Sequence, residues 1–181
     1  MHRTFKFALL PLATLALFGC GGDDDDVPKG FICPAIGALV DSASLSAFQG
    51  TAPGAAAPLY RVDITKVYSA CSYDADSGQI VSRIVIDFAA SRSQGGSAVQ
   101  YTVPYFIATS MDGTNIVDKK MFAVQVAFEP GQLNTKFSER QDDFTIKPTG
   151  DKKSTDYEML VGLQLTKDQL DYNRRAGRYP Q

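Results

Sequence analysis

Strict alternation of apolar and polar side chains is the feature that most limits how this 181-residue chain folds. The two clearest runs carry an apolar side chain at every second position: Phe122, Val124, Val126 and Phe128 in one, and Tyr157, Met159, Val161, Leu163 and Leu165 in the other. A period of two residues puts all the apolar side chains of a run on one face of an extended strand. We therefore expect β-strands that are buried on one face and solvated on the other.

Further strands are predicted at residues 35–40, 60–64, 80–88, 99–109 and 136–146, separated by turn signals that contain Gly, Asp or Pro. Pro104 has no N–H to donate, so residues 99–109 are expected to form an edge strand or to contain a bulge. About seven short strands favour an all-β fold, an immunoglobulin-like β-sandwich, over a barrel. The chain has no Trp, so the core tryptophan of true immunoglobulin domains is missing.

One short C-terminal helix is predicted after the last strand. Thr166 and Gln169 have the spacing of a capping box, which satisfies backbone N–H groups at a helix start. Arg174 and Arg175 complement the negative end of the helix dipole, and Gly177 ends the helix.

The N-terminus carries a membrane-targeting pattern. Arg3 and Lys6 precede an apolar run at residues 7–18, which is typical of a signal peptide and shorter than the roughly 20 residues of a membrane span. The segment Leu17-Phe18-Gly19-Cys20 resembles the lipobox of bacterial lipoproteins, in which lipid is attached to the cysteine and cleavage precedes it. Phe18 replaces the small residue usual there, and secretion without lipid is the alternative.

The lipoprotein resemblance implies acylation of Cys20 and membrane anchoring. Gly21, in place of Asp after the cysteine, implies the outer membrane by analogy with lipoproteins of bacteria with two membranes. The Cys33-Pro34 start of the body and the ending at residues 165–175 are similar to small Gram-negative lipoproteins of unknown function, which implies no activity. The predicted organisation is a signal peptide at 1–19, a lipidated cysteine with an acidic flexible tether at 20–32, a sandwich at 33–165, and a helix and tail at 166–181.

The cysteine count fits this organisation. Of three cysteines, Cys20 is assigned to lipidation, which leaves Cys33 and Cys71 as a pair. A disulfide is the expected state of that pair in an oxidising envelope compartment, and two buried thiols are the alternative.

The composition excludes several kinds of chemistry. His2 is the only histidine and lies in the signal peptide, so histidine-dependent nucleophilic catalysis and the common zinc sites are not expected. Removing residues 1–19 leaves 162 residues with 16 basic and 20 acidic side chains, a balance that does not favour nucleic-acid binding.

No catalytic residue, metal site or cofactor is predicted. Carboxylate pairs remain formally open, but we interpret them as solvated loop residues: Asp74 with Asp76, and Asp142 with Asp143. Residues 74–78 are predicted to form a β-turn with Asx caps, since a calcium loop would need Gly at 79 and Glu at 85.

Two groups of side chains could meet a ligand; helix capping and a soluble tail are the preferred interpretation of the first, and packing is that of the second. They are Arg174, Arg175 and Arg178 with Tyr172 and Tyr179, and Tyr101 with Tyr105 and Phe106.

The functional prediction is a non-enzymatic envelope lipoprotein, facing the periplasm or the cell surface, whose sandwich binds another envelope protein through a strand edge or loops. The alternative is a lipoprotein that binds a glycan, lipid or cation, and an enzyme is the third choice.

Overall fold

The computed structural model describes residues 27–50 and 57–177, which form two packed four-stranded β-sheets followed by one short helix. The elements are β1 (Ala35–Ala38), β2 (Ser44–Ala47), β3 (Tyr60–Asp74), β4 (Gln79–Arg92), β5 (Val99–Met111), β6 (Asn115–Phe128), β7 (Asn134–Ile146), β8 (Tyr157–Leu163) and α1 (Lys167–Ala176). The predicted all-β sandwich with a C-terminal helix is confirmed. The signal peptide, Cys20, most of the tether and residues 51–56 lie outside the described residues.

The two sheets have the strand orders β1-β8-β5-β6 and β2-β3-β4-β7. Two long antiparallel hairpins, β3–β4 and β5–β6, supply most of the pairing, and β1 pairs with β8 in parallel. The chain crosses between the sheets after β1, β4, β6 and β7. Strands β6 and β7 end the two strand orders, are joined by the short loop at residues 129–133, and lie on the same side of the sandwich.

The core follows from the alternation in the sequence. The alternating apolar side chains of β4, β6 and β8 point between the sheets, and those of β6 and β8 include Val126, Met159, Val161 and Leu163 with no exposed surface. The predicted inward faces of both runs are confirmed, although Phe122 and Leu165 at their ends are only partly buried. Burial of apolar surface at about 25 cal/mol per Å² is the main force that holds the sheets together.

The first strands differ from the prediction at residues 35–40. Strand β1 ends at Ala38, and a 3-10 turn follows at Val40–Ser42, so the prediction of a strand as far as Val40 is wrong. Strand β2 was not predicted, because its four residues, Ser-Leu-Ser-Ala, are too few and too polar to give an alternation signal. The described residues therefore form eight strands, compared with about seven predicted.

Strand β5 is internal in the strand order, but residues 99–104 pair only with β6, so the prediction of an edge strand at residues 99–109 is correct as far as Pro104 and wrong beyond it. Strand β5 pairs with β6 along its length and with β8 from Tyr105 onward. The Pro104 carbonyl accepts a hydrogen bond from the Gln164 N–H at 2.9 Å, so the proline ring nitrogen faces the same side, just past the last paired residue of β8. No ladder hydrogen bond is lost there. A register shift does occur in β5, but at Thr109 and Ser110.

The disulfide between Cys33 and Cys71 is present and joins the segment before β1 to β3. The chain first packs against the sandwich just ahead of it, where the rings of Phe31 and Tyr73 lie 5.9 Å apart. The helix also begins and ends as predicted. The Thr166 and Gln169 side chains form the capping box, and Gly177 takes a left-handed conformation after the last turn.

Candidate functional site

Each sheet has two edge strands, and an edge strand exposes backbone N–H and C=O groups that can pair with another chain. Strands β1 and β2 are edges of only four residues each. Helix α1 also covers β2. The Asn173 side chain, 2% exposed, donates from Nδ2 to the Ser44 carbonyl at 2.7 Å and to the Asp41 carbonyl at 3.0 Å, and Gln169 Nε2 reaches the Ser46 carbonyl at 3.4 Å.

Strand β7 is a long edge, and charges and a bulge protect it. The charged residues of β7 are Lys136, Glu139, Arg140, Asp142 and Asp143. The register with β4 shifts between Ser82 and Ile84, where Asp143 adopts a positive φ of 57°. Asp142 accepts hydrogen bonds at 2.9 Å from Arg140 and Arg83, which lower the pKa of its carboxyl. Charged side chains and a bulge are among the features by which natural proteins discourage pairing at a strand edge.

Strand β6 is different, because its second half carries no charge. We call residues 121–128, Met-Phe-Ala-Val-Gln-Val-Ala-Phe, the β6 edge. Its even-numbered side chains face the core, whereas its odd-numbered side chains, Met121, Ala123, Gln125 and Ala127, are exposed. The charged residues of β6, Asp118, Lys119 and Lys120, all precede this segment. Natural proteins usually protect such a segment with a charge or a proline.

The backbone direction of the β6 edge follows from its pairing with β5. Ala123 lies opposite Pro104, whose carbonyl points away from β6 to Gln164. In an antiparallel ladder a residue opposite such a partner also points its own N–H and C=O away from the ladder. The same holds at every second residue, so Met121, Ala123, Gln125 and Ala127 direct their backbone groups outward. Within residues 27–50 and 57–177, none of these four residues has another backbone partner.

A buried arginine holds the far end of the β6 edge. Arg92 at the end of β4 is 9% exposed and lies over the Phe128 ring, 5.2 Å from its centroid. Its guanidinium donates to four backbone carbonyls in the β4–β5 and β6–β7 loops: Gln132 at 2.6 Å, Glu129 at 2.9 Å, Ser97 at 3.0 Å and Gly96 at 3.4 Å. Arg92 therefore fixes the loop into which β6 runs. An isolated arginine at a strand end carries no motif, so nothing in the sequence indicates this role.

An open groove of about 600 Å³ lies on the outer face of the β1-β8-β5-β6 sheet, between the 3-10 turn Val40–Ser42 and helix α1. Its floor includes the Phe106 ring, which packs over Gly162 on the neighbouring strand. Lys119 Nζ lies 4.1 Å from the centre of that ring and donates to Gln164 Oε1 at 3.0 Å. The second cation on the groove, Arg174, is paired with Asp41 at 2.7 Å. Both cations therefore already have partners within the protein.

The carboxylate pairs from the sequence do not form a cleft. Asp74 accepts hydrogen bonds from the backbone of Asp76 and Ser77 and from the Ser77 hydroxyl, which lowers the pKa of Asp74 and closes the β3–β4 turn. This confirms the Asx-capped turn. Asp142 is held by two arginines, and its neighbour Asp143 occupies the bulge.

The aromatic and basic groups from the sequence are largely used in packing. Tyr101 stacks on Tyr60 with ring centres 4.0 Å apart. Tyr105 is fully buried, its hydroxyl accepts from Gln141 at 2.7 Å, and burial raises its pKa to about 12. Tyr172 meets the Phe48 ring edge-on at 5.1 Å. Arg178 and Tyr179 lie outside the described residues.

Within the described ranges, no three histidine, cysteine or acidic side chains converge to hold a metal ion. None of the helices in that part of the chain is long and apolar enough to cross a membrane. The candidate site is therefore the β6 edge together with the Arg92-bound loop at its end. Comparison with protein-family models, with curated proteins and with solved structures gives no match to this chain.

Proposed function

We propose that this protein is a non-enzymatic envelope lipoprotein whose sandwich binds an extended protein segment along the β6 edge. The observation that carries the proposal is the contrast among the four sheet edges. Two edges are four residues long, and the β7 edge is charged and bulged. Residues 64–74 of β3 extend past β2 without a second paired strand, but the Cys33–Cys71 disulfide ties the segment before β1 to them. Residues 121–128 combine length, neutrality and outward-facing backbone groups with no such crosslink.

Strand addition uses what the β6 edge offers. An incoming strand gains main-chain hydrogen bonds from the outward N–H and C=O groups, and its alternate side chains contact the exposed face of the strand beside it. The eight residues of the edge exceed the mean strand length of about five to six residues. Small side chains at Ala123 and Ala127 leave room for a partner's side chains, and Met121, 51% exposed, supplies a flexible apolar contact.

The alternative, a lipoprotein that binds a glycan, lipid or cation, is favoured by the groove beside Phe106. That groove is concave and mostly apolar, as ligand sites usually are. However, a charged ligand headgroup would have to compete with Gln164 for Lys119 and with Asp41 for Arg174. A ligand in the groove would meet this competition. At the β6 edge, by contrast, the outward backbone N–H and C=O groups have no partner among the described residues, and we therefore prefer a protein partner.

The membrane anchor is part of the proposal and rests on Cys20. We expect the full-length protein, expressed in a Gram-negative host, to incorporate labelled palmitate and to sediment with the outer membrane. A Cys20→Ser variant should lose the label and leave the membrane fraction. Equal labelling of both proteins would contradict the anchor.

The interaction is tested by placing a photo-activatable amino acid at Gln125 in the full-length protein in its native envelope. We expect crosslinked products at Gln125 that contain a second polypeptide chain. The matched control is Ser72, which is also exposed but lies on β3 in the other sheet, away from the β6 edge. Products that are the same at both positions, or absent at Gln125, would contradict the proposed function.

A further inference from the structure

The sequence of the β6 edge reads the same in both directions. Residues 122–128 are Phe-Ala-Val-Gln-Val-Ala-Phe, centred on Gln125. Two antiparallel copies paired about this centre place each residue opposite an identical one: Gln125 opposite Gln125, the alanines opposite each other, the valines likewise, and the phenylalanines at the two ends. Side-chain size therefore matches at every position of the pairing.

We propose that the β6 edge binds a second copy of this chain, with the two-fold axis at Gln125. The inference rests on the proposed function of the β6 edge and names one occupant for it. The β1-β8-β5-β6 sheet of each copy would continue into the same sheet of the other copy. Eight strands would then form one sheet across the axis. Such an interface is isologous, because the same surface is used by both subunits.

The backbone supports this register. Gln125 directs its N–H and C=O outward, so in the proposed register it would exchange both hydrogen bonds with Gln125 of the second copy. Ala123 and Ala127 direct theirs outward too, and they face each other across the axis. With two hydrogen bonds in each such pair, residues 123–127 contribute about six hydrogen bonds. A register shifted by one residue would instead set the inward-facing backbone groups of Val124 and Val126 against the partner.

Charges flanking the palindrome are complementary in the same register. The backbone of Lys119 lies diagonally across from that of Glu129 in the second copy, at a separation of about 7–8 Å, so opposite charges flank the pairing while Lys119 keeps its hydrogen bond to Gln164. This arrangement occurs twice, once on each side of the axis.

The register is tested by cysteine crosslinking of the full-length protein. Residues in a hydrogen-bonded antiparallel pair have Cα atoms about 5.5 Å apart, within the range of a disulfide. We expect the Gln125→Cys variant to form a disulfide-linked dimer under mild oxidation. The Ala123→Cys and Ala127→Cys variants should not crosslink alone, but a mixture of the two should crosslink to each other. Equal crosslinking of all three single variants would overturn the proposed register.

The association itself is tested with a charge at the axis. A Gln125→Lys substitution sets two lysines against each other, and we expect it to raise the dimer dissociation constant at least about 100-fold, as measured by sedimentation of the detergent-solubilised full chain. Ser72→Lys adds the same charge on β3 and should leave the constant unchanged. Thermal unfolding of both variants confirms that they fold. A wild-type chain that stays monomeric overturns this inference. If Gln125 still crosslinks to a different protein, the proposed function stands without it.

Discussion

Replacing Arg92 by methionine removes a buried cation whose hydrogen-bond partners are all backbone carbonyls. Three of its four contacts, to Gln132, Glu129 and Ser97, are 3.0 Å or shorter. The carbonyls belong to two loops that also touch each other directly, since the Gly131 N–H donates to the Gly96 carbonyl at 2.9 Å. Methionine keeps the contact with the Phe128 ring and loses every hydrogen bond of the guanidinium.

The expected cost follows from those contacts. A hydrogen bond to a charged group contributes about 1.5–3 kcal/mol in mutational series, and contributions within one network do not add in full. The loop carbonyls regain some water when the guanidinium is removed, and the desolvation of the buried charge is relieved. We therefore expect Arg92→Met to lower the free energy of unfolding by about 3 kcal/mol, which corresponds to a fall in Tm of about 6–12 °C for a domain of this size. An Arg92→Lys variant should lose about half as much.

The assay is urea-induced unfolding followed by far-UV circular dichroism, with the m-value checked for a common unfolded state. The matched control is Arg83→Met on the same strand. Arg83 is 63% exposed and paired with Asp142, and exposed ion pairs contribute about 0–1 kcal/mol. If Arg92→Met is no more destabilising than Arg83→Met, the reasoning that the carbonyls compensate the buried charge is refuted.

Three further changes have defined outcomes. A Cβ added at Gly162 would lie 2.6 Å from Phe106 Cζ, so Gly162→Ala should reduce the free energy of unfolding by about 1–3 kcal/mol; an unchanged urea midpoint would show that the ring moves aside freely. Replacing Cys33 and Cys71 together by alanine opens a connection of 38 residues and should cost about 4 kcal/mol by the chain-entropy relation, measured by calorimetry; a cost below about 1 kcal/mol would contradict that relation here. The pKa of Tyr105 is raised from 10.0 to about 12, so the unfolded state releases its proton first and stability falls between about pH 10 and 12, by up to about 1.4 kcal/mol per pH unit. Tyr105→Phe should lose that part of the slope, and an identical pH profile in both proteins would contradict the burial argument.

Much of the fold could be predicted from short-range patterns. The alternation in β6 and β8 identified the inward faces, because side chains alternate on any strand whatever it pairs with. The Thr166–Gln169 capping box located the helix start, since its hydrogen bonds lie within four residues. Strand β2 was missed because its pairing with β3 and the cover from α1 stabilise it, and neither leaves a local signal.

Pro104 shows what the residue type predicts by itself and what only the tertiary structure decides. The residue type requires a position without a ladder hydrogen bond, and the structure supplies one inside the sheet, where β8 ends beside Gln164. An edge strand satisfies the same requirement, so the sequence could not choose between them. The same ambiguity applies to Arg92, whose four carbonyl partners come from two separate loops.

By itself the sequence determined that the chain forms strands, which faces they bury, and that residues 122–128 are neutral and symmetric about Gln125. It did not determine whether that segment is shielded, because an identical pattern fits an internal strand with a neighbour on each side. The tertiary structure decided this by placing β8 beside β5 and β7 beside β4, which leaves one side of β6 unpaired among the described strands. Strand order depends on contacts between residues far apart in the chain, so only the folded sandwich shows which edge is open.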